Sequence, residues 1–255
     1  SHFRNTCSRR SLLLLVFGGA LLLRLLLAYT THGFSNDIAC FAAWADRIFT
    51  LGPGQFYSAE MFTDYPPGFM YVLYLIGALR SLLQIPYYSD LHILLLKLPA
   101  ILCDIACGFL LHREAVKRLH FSDLQGIFAA SAYLFQPAVI LNSSCWGQVD
   151  SVYTLMIILM CLFLMKGNLL PAYAVYGLGV LLKPQMLIFT PVLLTGIWDH
   201  VFLQDFSWRK FFYNLCGGLV VICGMLLLCA PFGLTAAILQ YTSTLGSYEY
   251  AAINA

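Results

Sequence analysis

Charge is the scarcest ingredient of this chain. Aspartate, glutamate, lysine and arginine together make up 10% of its 255 residues, against 60% hydrophobic residues. A water-soluble domain with so little polar surface has no means of covering its core. The 14 basic and 12 acidic residues nearly balance and form no basic patch, so nucleic acid is not an expected partner. Metal-type cysteine spacing is missing as well. There is no CxxC and no Cys/His ligand pattern, which argues against a structural zinc site. Cys103, Cys107, Cys161, Cys216, Cys223 and Cys229 lie inside apolar runs, where cysteine acts as a small hydrophobe. The sequence also lacks internal repeats, low-complexity tracts and the alternating ten-residue segments of a membrane β-barrel.

What the chain does have is long apolar runs, at about 11–30, 67–83, 91–111, 124–141, 151–165, 169–198 and 211–230. Several approach or exceed the roughly 20 residues needed to cross a bilayer. The expected fold class is an all-α polytopic membrane protein.

The positive-inside rule orders these runs. "SRR" (8–10) and "HREAVKRLH" (112–120) are the basic connectors, and both are expected in the cytoplasm. An even number of crossings must separate them, yet three apolar runs intervene. "PPGFMYVLYLIGALRSLL" (66–83) opens on two prolines and carries Arg80, so it is expected to lie in the outer leaflet rather than cross. The run 169–198 is too long for one untilted crossing and is split at "KPQ". Seven spans follow, at about 11–30, 89–111, 123–141, 151–165, 169–182, 185–199 and 211–230. External juxtamembrane helices are expected at about 36–50 and 67–83, and the whole of 1–255 is read as a single module.

This threading gathers Asp37, Asp64, Trp146, Gln148, Asp150, Lys183 and Gln185 on the external face. Each has an ordinary explanation. In "SNDIACFAAWADRIF" (35–49), Asp37 follows two good N-cap residues and meets the helix dipole in a first turn. Ile38, Phe41, Ala42, Ala45, Ile48 and Phe49 give that helix one apolar face. Asp64 precedes Tyr65-Pro66-Pro67-Gly68, a stiff corner that punctuates a helix start or holds a carboxylate and a phenol in place. Trp146-Gly147-Gln148-Val149-Asp150 is a short loop with an interfacial Trp, a turn Gly and a helix-start Asp. Asn142-Ser143-Ser144 matches a glycosylation sequon but sits at the predicted membrane boundary. Lys183 is costly at membrane depth, which suits either phosphate binding or helix pairing. Lys97 and Asp104 share a helix face, and Arg24 is the expected partner of Asp104.

Transporters tend to bind near the bilayer midplane within repeats, whereas these polar groups collect at one surface. That favours chemistry at the membrane–water boundary. "SNDIACFAAW", "FTDYPPGFMY", "LLLKLPAILCDI", "PAVILNSSCWGQVDSVYTL" and "LLKPQMLIFTPV" occur in the order seen in GT-C fold glycosyltransferases. The chain most resembles bacterial integral-membrane proteins related to the second mannosyltransferase of GPI-anchor synthesis. It resembles less closely the dolichyl-phosphate-glucose glucosyltransferases of N-glycan assembly. The closing "YEYAAINA" looks like the start of a further family segment, so a C-terminal remainder of the family fold is expected to be missing.

The resemblance implies a seven-span GT-C module whose long first external loop holds two juxtamembrane helices and an acidic residue matched by Asp37. It implies an inverting transfer of mannose or glucose from a polyprenyl-phosphate donor to an acceptor hydroxyl on a glycan, polymer or protein. The expected place is the extracytoplasmic face of a bacterial plasma membrane, or else the lumen of the endoplasmic reticulum. Asp37 is then the general base. Asp64 and Tyr65 orient the acceptor or brace Asp37, Trp146, Gln148 and Asp150 wall the sugar, and Gln185 joins the substrate contacts. Lys183, then Lys97, is expected to meet the lipid phosphate. No cofactor is expected. A Mg or Mn ion on Asp37 and Asp150 is less favoured, because two carboxylates are a thin ligand set. The alternative is a non-enzymatic polyprenyl-lipid transporter or scramblase.

Overall fold

The structure, a computed structural model, describes residues 2–57, 62–204 and 206–239; "YEYAAINA" lies outside the described residues. Among the described residues every regular element is helical. In chain order, α1 (His2–Thr30) and α2 (Ser35–Leu51) are followed by α3 (Pro67–Leu82), α4 (Asp90–Lys117) and α5 (Asp123–Leu134). α6 (Pro137–Ile140) runs into a π-helical turn, Leu141–Trp146. α7 (Asp150–Met165) and α8 (Leu169–Leu182) precede a 3₁₀ segment, Pro184–Phe189. That segment continues as α9 (Thr190–Trp198) and a π turn, Asp199–Leu203. α10 (Trp208–Cys229) ends in a 3₁₀ turn, Ala230–Phe232.

Among the described residues four runs are long and apolar enough to cross a membrane: Arg9–Thr30, Asp90–Lys117, Pro184–Leu203 and Trp208–Phe232. α5 with Pro137–Trp146 makes a fifth when the pair, bent by 52°, counts as one span. Leu14, Phe128, Ile188 and Leu227 are each more than 70% exposed, and α10 buries no residue. Apolar helices with such outer surfaces belong in lipid. The chain is an all-α membrane protein. Length and composition do not reach seven spans, however. The 16 residues of α7 cover about 24 Å at 1.5 Å per residue, short of a hydrocarbon core of about 30 Å, and α8 is shorter still.

Local chemistry explains the other departures from the expected boundaries. The run expected to span 123–141 breaks at Phe135 and Gln136. The Gln136 side chain accepts the Ala138 N–H at 2.5 Å, and Pro137 has no N–H to continue α5. α4 outlasts its expected end at 111 by six residues. It is capped by Ser89, which accepts the His92 N–H at 3.4 Å, and tolerates Pro99 inside. The break expected at "KPQ" is present. α8 stops at Leu182, and Lys183 takes the extended backbone that a residue before proline prefers.

Where the sequence reads as one module, the chain divides into two compact units. Unit 1 comprises Ser1–Ala42 and Arg80–Leu155; unit 2 comprises Ala43–Leu79 and Met156–Ala255. The division falls within α2, α3 and α7. In unit 1, Ala20 of α1 packs with Ala130 and Leu134 of α5. Unit 2 is centred on Met160, Leu169, Ala172, Tyr173, Met186, Leu193 and Val201. There α3 approaches α8 so closely that a Cβ on Gly68 would stand 2.6 Å from the Leu181 carbonyl oxygen. Small residues at such crossings let helix backbones meet inside a membrane.

Candidate functional site

Unit 1 builds its site on the junction between α1 and α2. The Ile38 N–H donates to the Phe34 carbonyl at 3.1 Å, so α2 starts at Ser35 and Asp37 sits in its first turn. The carboxylate is not a cap of its own helix. The Trp146 indole N–H donates to Asp37 Oδ2 at 3.2 Å, and the Gln148 amide N–H donates to the same oxygen. Oδ1 accepts no hydrogen bond among the described residues. Asp37 is half-buried and Trp146 is 46% exposed, so the carboxylate borders solvent.

Two glycines make this approach possible. Gly33 (φ 78°) lies so close to the loop that a Cβ there would stand 2.7 Å from the Trp146 carbonyl oxygen. Gly147 (φ 90°) would bring a Cβ to 2.6 Å from Ile38 Cδ1. Both need the left-handed backbone that glycine adopts without strain. The Phe34 N–H then donates to the Trp146 carbonyl at 2.9 Å, and the two rings lie 5.4 Å apart. Asp150, in the first turn of α7, accepts from Asn142 Nδ2 at 2.9 Å. That bond engages the amide of the sequon asparagine.

Lys97, the second residue expected to meet a lipid phosphate, is enclosed by oxygens of the protein itself. Its side chain is fully buried, and Nζ lies among five oxygens. These are the carbonyls of Ala28 (3.2 Å), Thr31 (2.7 Å), Ser144 (2.9 Å) and Cys145 (3.4 Å), and Thr31 Oγ1 (3.1 Å). The three donors of an ammonium are satisfied by this cage without any further acceptor. Asp104 is equally buried. Its Oδ2 accepts from Arg24 Nε at 3.1 Å, the pairing expected from the sequence, and from Ser143 Oγ at 2.6 Å. Its Oδ1 accepts from Ser151 Oγ at 2.5 Å and Tyr133 at 3.3 Å.

Unit 2 carries a second cluster, at the Asp-Tyr-Pro-Pro corner. Lys183, 9% exposed, holds Nζ 5.8 Å from the centre of the Tyr65 ring. This is cation–π distance. Tyr65 also packs against Trp44 (5.7 Å) and Phe69 (5.1 Å). The corner is held from below by Tyr57, whose hydroxyl donates to the Tyr65 carbonyl at 3.1 Å. Burial, and secondarily the neighbouring Cys229, pushes the Tyr57 phenol up, so it remains a neutral donor. Trp44 donates its indole N–H to the Phe62 carbonyl at 3.0 Å, and Arg47 donates to the carbonyls of Gln55 and Phe56, each at 2.9 Å. Asp64 is half-buried beside Tyr65, and Gln185 is exposed on the 3₁₀ segment after Lys183.

Of the residues singled out in the sequence, Asp37, Trp146 and Gln148 meet in unit 1, and Tyr65 and Lys183 meet in unit 2. Tyr57, Trp44 and Arg47 were missed; their signal was an arginine and aromatics flanking the Pro53–Gln55 turn. Among the described residues no three His, Cys, Asp or Glu side chains gather as a metal-ligand set. No protein-family model and no curated protein sequence matches the chain. The fold and these clusters together define an all-α membrane protein with a carboxylate held at the start of a helix that follows its first apolar run.

Proposed function

We propose that the protein is an inverting hexosyltransferase that takes mannose or glucose from a polyprenyl-phosphate donor. The observation that carries this reading is the bonding of Asp37. One carboxylate oxygen is fixed by Trp146 and Gln148 and the other is left to accept a proton. The acceptor hydroxyl gives its proton to Asp37 as its oxygen attacks the anomeric carbon. The bond from that carbon to the lipid phosphate breaks, and the phosphate leaves with the electron pair. A single displacement of this kind inverts the anomeric configuration. Proton removal by a positioned carboxylate contributes about 10²–10⁴ in rate.

The Trp146 ring offers the sugar an apolar face, and Gln148 and Asp150 offer polar contacts beside it. Within unit 2, Lys183 over Tyr65 is a cation largely withdrawn from water, the kind of group that stabilises a phosphate. No step runs through a metal. The seven-span GT-C arrangement, with its site on the extracytoplasmic face of a bacterial plasma membrane, rests on the family resemblance and the placement of basic connectors. In that arrangement α7 and α8 cross as short helices in a locally thinned bilayer.

The test is transfer of radiolabelled sugar from polyprenyl-phosphate mannose or glucose by the protein in membranes. The product should carry the anomeric configuration opposite to that of the donor. Retained configuration would exclude single displacement, and movement of the lipid across the bilayer without transfer would favour a transporter.

A further inference from the structure

α4 carries two fully buried charges, Lys97 and Asp104, seven residues apart and therefore on one face about two turns from each other. Neither takes part in the chemistry proposed above. Both reach the same stretch of chain, at different points. Asp104 accepts from Ser143 and from Ser151, the residues that bracket the loop between the π turn and α7. Lys97 donates to the carbonyls of Ser144 and Cys145, just ahead of Trp146. The same ammonium donates to Ala28 and Thr31, at the end of α1 just ahead of Gly33 and Asp37.

We infer that Lys97 and Asp104 are positioning residues that hold the 143–151 segment in register with the end of α1. They thereby place Trp146 and Gln148 on Asp37. The physical ground is the number of groups each charge satisfies. Four backbone carbonyls and a hydroxyl accept from one ammonium, and two serine hydroxyls and a phenol donate to one carboxylate. Buried away from water, groups that lose such a partner are costly to leave unpaired. Thr31 tightens the same joint, since its hydroxyl also lies 3.3 Å from the Ser144 carbonyl. Simple helix gluing would need only the Arg24–Asp104 pair. The Lys97 cage instead joins the two segments that carry the Asp37 constellation.

For its activity readout the inference rests on the proposed role of Asp37, so a second readout is taken that does not. The indole N–H NMR signal of Trp146, assigned by its loss in Trp146→Phe, reports the bond to the Asp37 carboxylate, and Asp37→Asn calibrates its displacement. Lys97→Arg and Asp104→Asn should each move the Trp146 signal in the direction seen in Asp37→Asn, with the indoles of Trp44, Trp198 and Trp208 unmoved. Both should lower kcat by about 10²-fold, the usual consequence of a misplacement of about 1 Å, with little change in KM. Leu96→Ala, a buried neighbour on α4, should lower the melting temperature and leave the Trp146 signal in place. Where a charge variant fails to fold, Thr31→Val removes one of the five oxygens and should give a smaller displacement in the same direction. A folded Lys97→Arg or Thr31→Val protein with an unmoved Trp146 signal overturns the inference. Displacement of the signal in a protein that transfers no sugar even as wild type upholds the positioning role and removes the transferase reading.

Discussion

Arg24 Nε and Asp104 Oδ2 lie 3.1 Å apart, and neither side chain is exposed. The pair joins α1 to α4 within unit 1. Removing one partner of a buried pair strands the other charge, at a typical cost of about 3–5 kcal/mol. Arg24→Ala should therefore cost about that much in unfolding free energy in detergent. Adding Asp104→Leu should cost less than the sum of the two single changes, and a double-mutant cycle measures the difference. Additive losses would mean that the two groups do not meet.

Close helix contact in unit 2 depends on glycine. A Cβ at Gly68 would intrude on the Leu181 backbone, and one at Gly77 would meet the Ala45 carbonyl and Phe49 Cβ. Gly68→Ala and Gly77→Ala should each destabilise by about 1–3 kcal/mol, as overpacking does. Gly218, which has nothing within 4 Å of its Cβ position, should accept alanine at no loss. Thermal unfolding of the three variants makes the comparison.

How legible these features were in the sequence depended on whether their cause was a side-chain pattern. The start of α2, the break at Lys183-Pro184 and the Arg24–Asp104 pair all follow from periodicity, from proline or from the cost of an unpaired charge. The cage around Lys97 does not, because four of its five oxygens belong to the backbone, which has no sequence signature. The meeting of Gln148 with Asp37 brings together residues 111 positions apart, a relation that only the packing of unit 1 creates. The bend at Pro137 was visible as a residue but was outweighed by the apolar run around it.

Tyr57 makes a prediction about pH. Its burial favours the neutral phenol in the folded chain, while an unfolded tyrosine ionises near pH 10. Its contribution to stability is therefore complete below about pH 10 and is lost progressively as the pH rises above that value. Tyr57→Phe should lose about 1 kcal/mol at neutral pH with its hydrogen bond to Tyr65. Above pH 10 its melting temperature should fall less steeply than that of the wild type. Parallel curves for the two proteins would show that the phenol is already solvated.

Lys183 lies over the Tyr65 ring, and the proposed function assigns it a phosphate. A charged hydrogen bond of this kind is worth about 1.5–3 kcal/mol, or roughly 10–100-fold in affinity. Lys183→Met should weaken binding of polyprenyl phosphate by that factor, read by titration into the detergent-solubilised protein. Lys97→Met, whose ammonium is caged, should weaken it far less. Equal losses in both variants, or none in either, would remove the phosphate from Lys183.

The most direct measurement of the central claim is sugar transfer by Asp37→Asn beside wild type, in membranes given labelled polyprenyl-phosphate mannose or glucose. Asparagine keeps the shape of the side chain, and its oxygen accepts from Trp146 and Gln148 more weakly than a carboxylate does, but it takes up no proton. The account predicts transfer by the wild type and a fall of about 10²–10⁴-fold in a variant with an unchanged melting temperature. Transfer by Asp37→Asn at the wild-type rate would contradict it and return Asp37 to the role of an ordinary first-turn carboxylate.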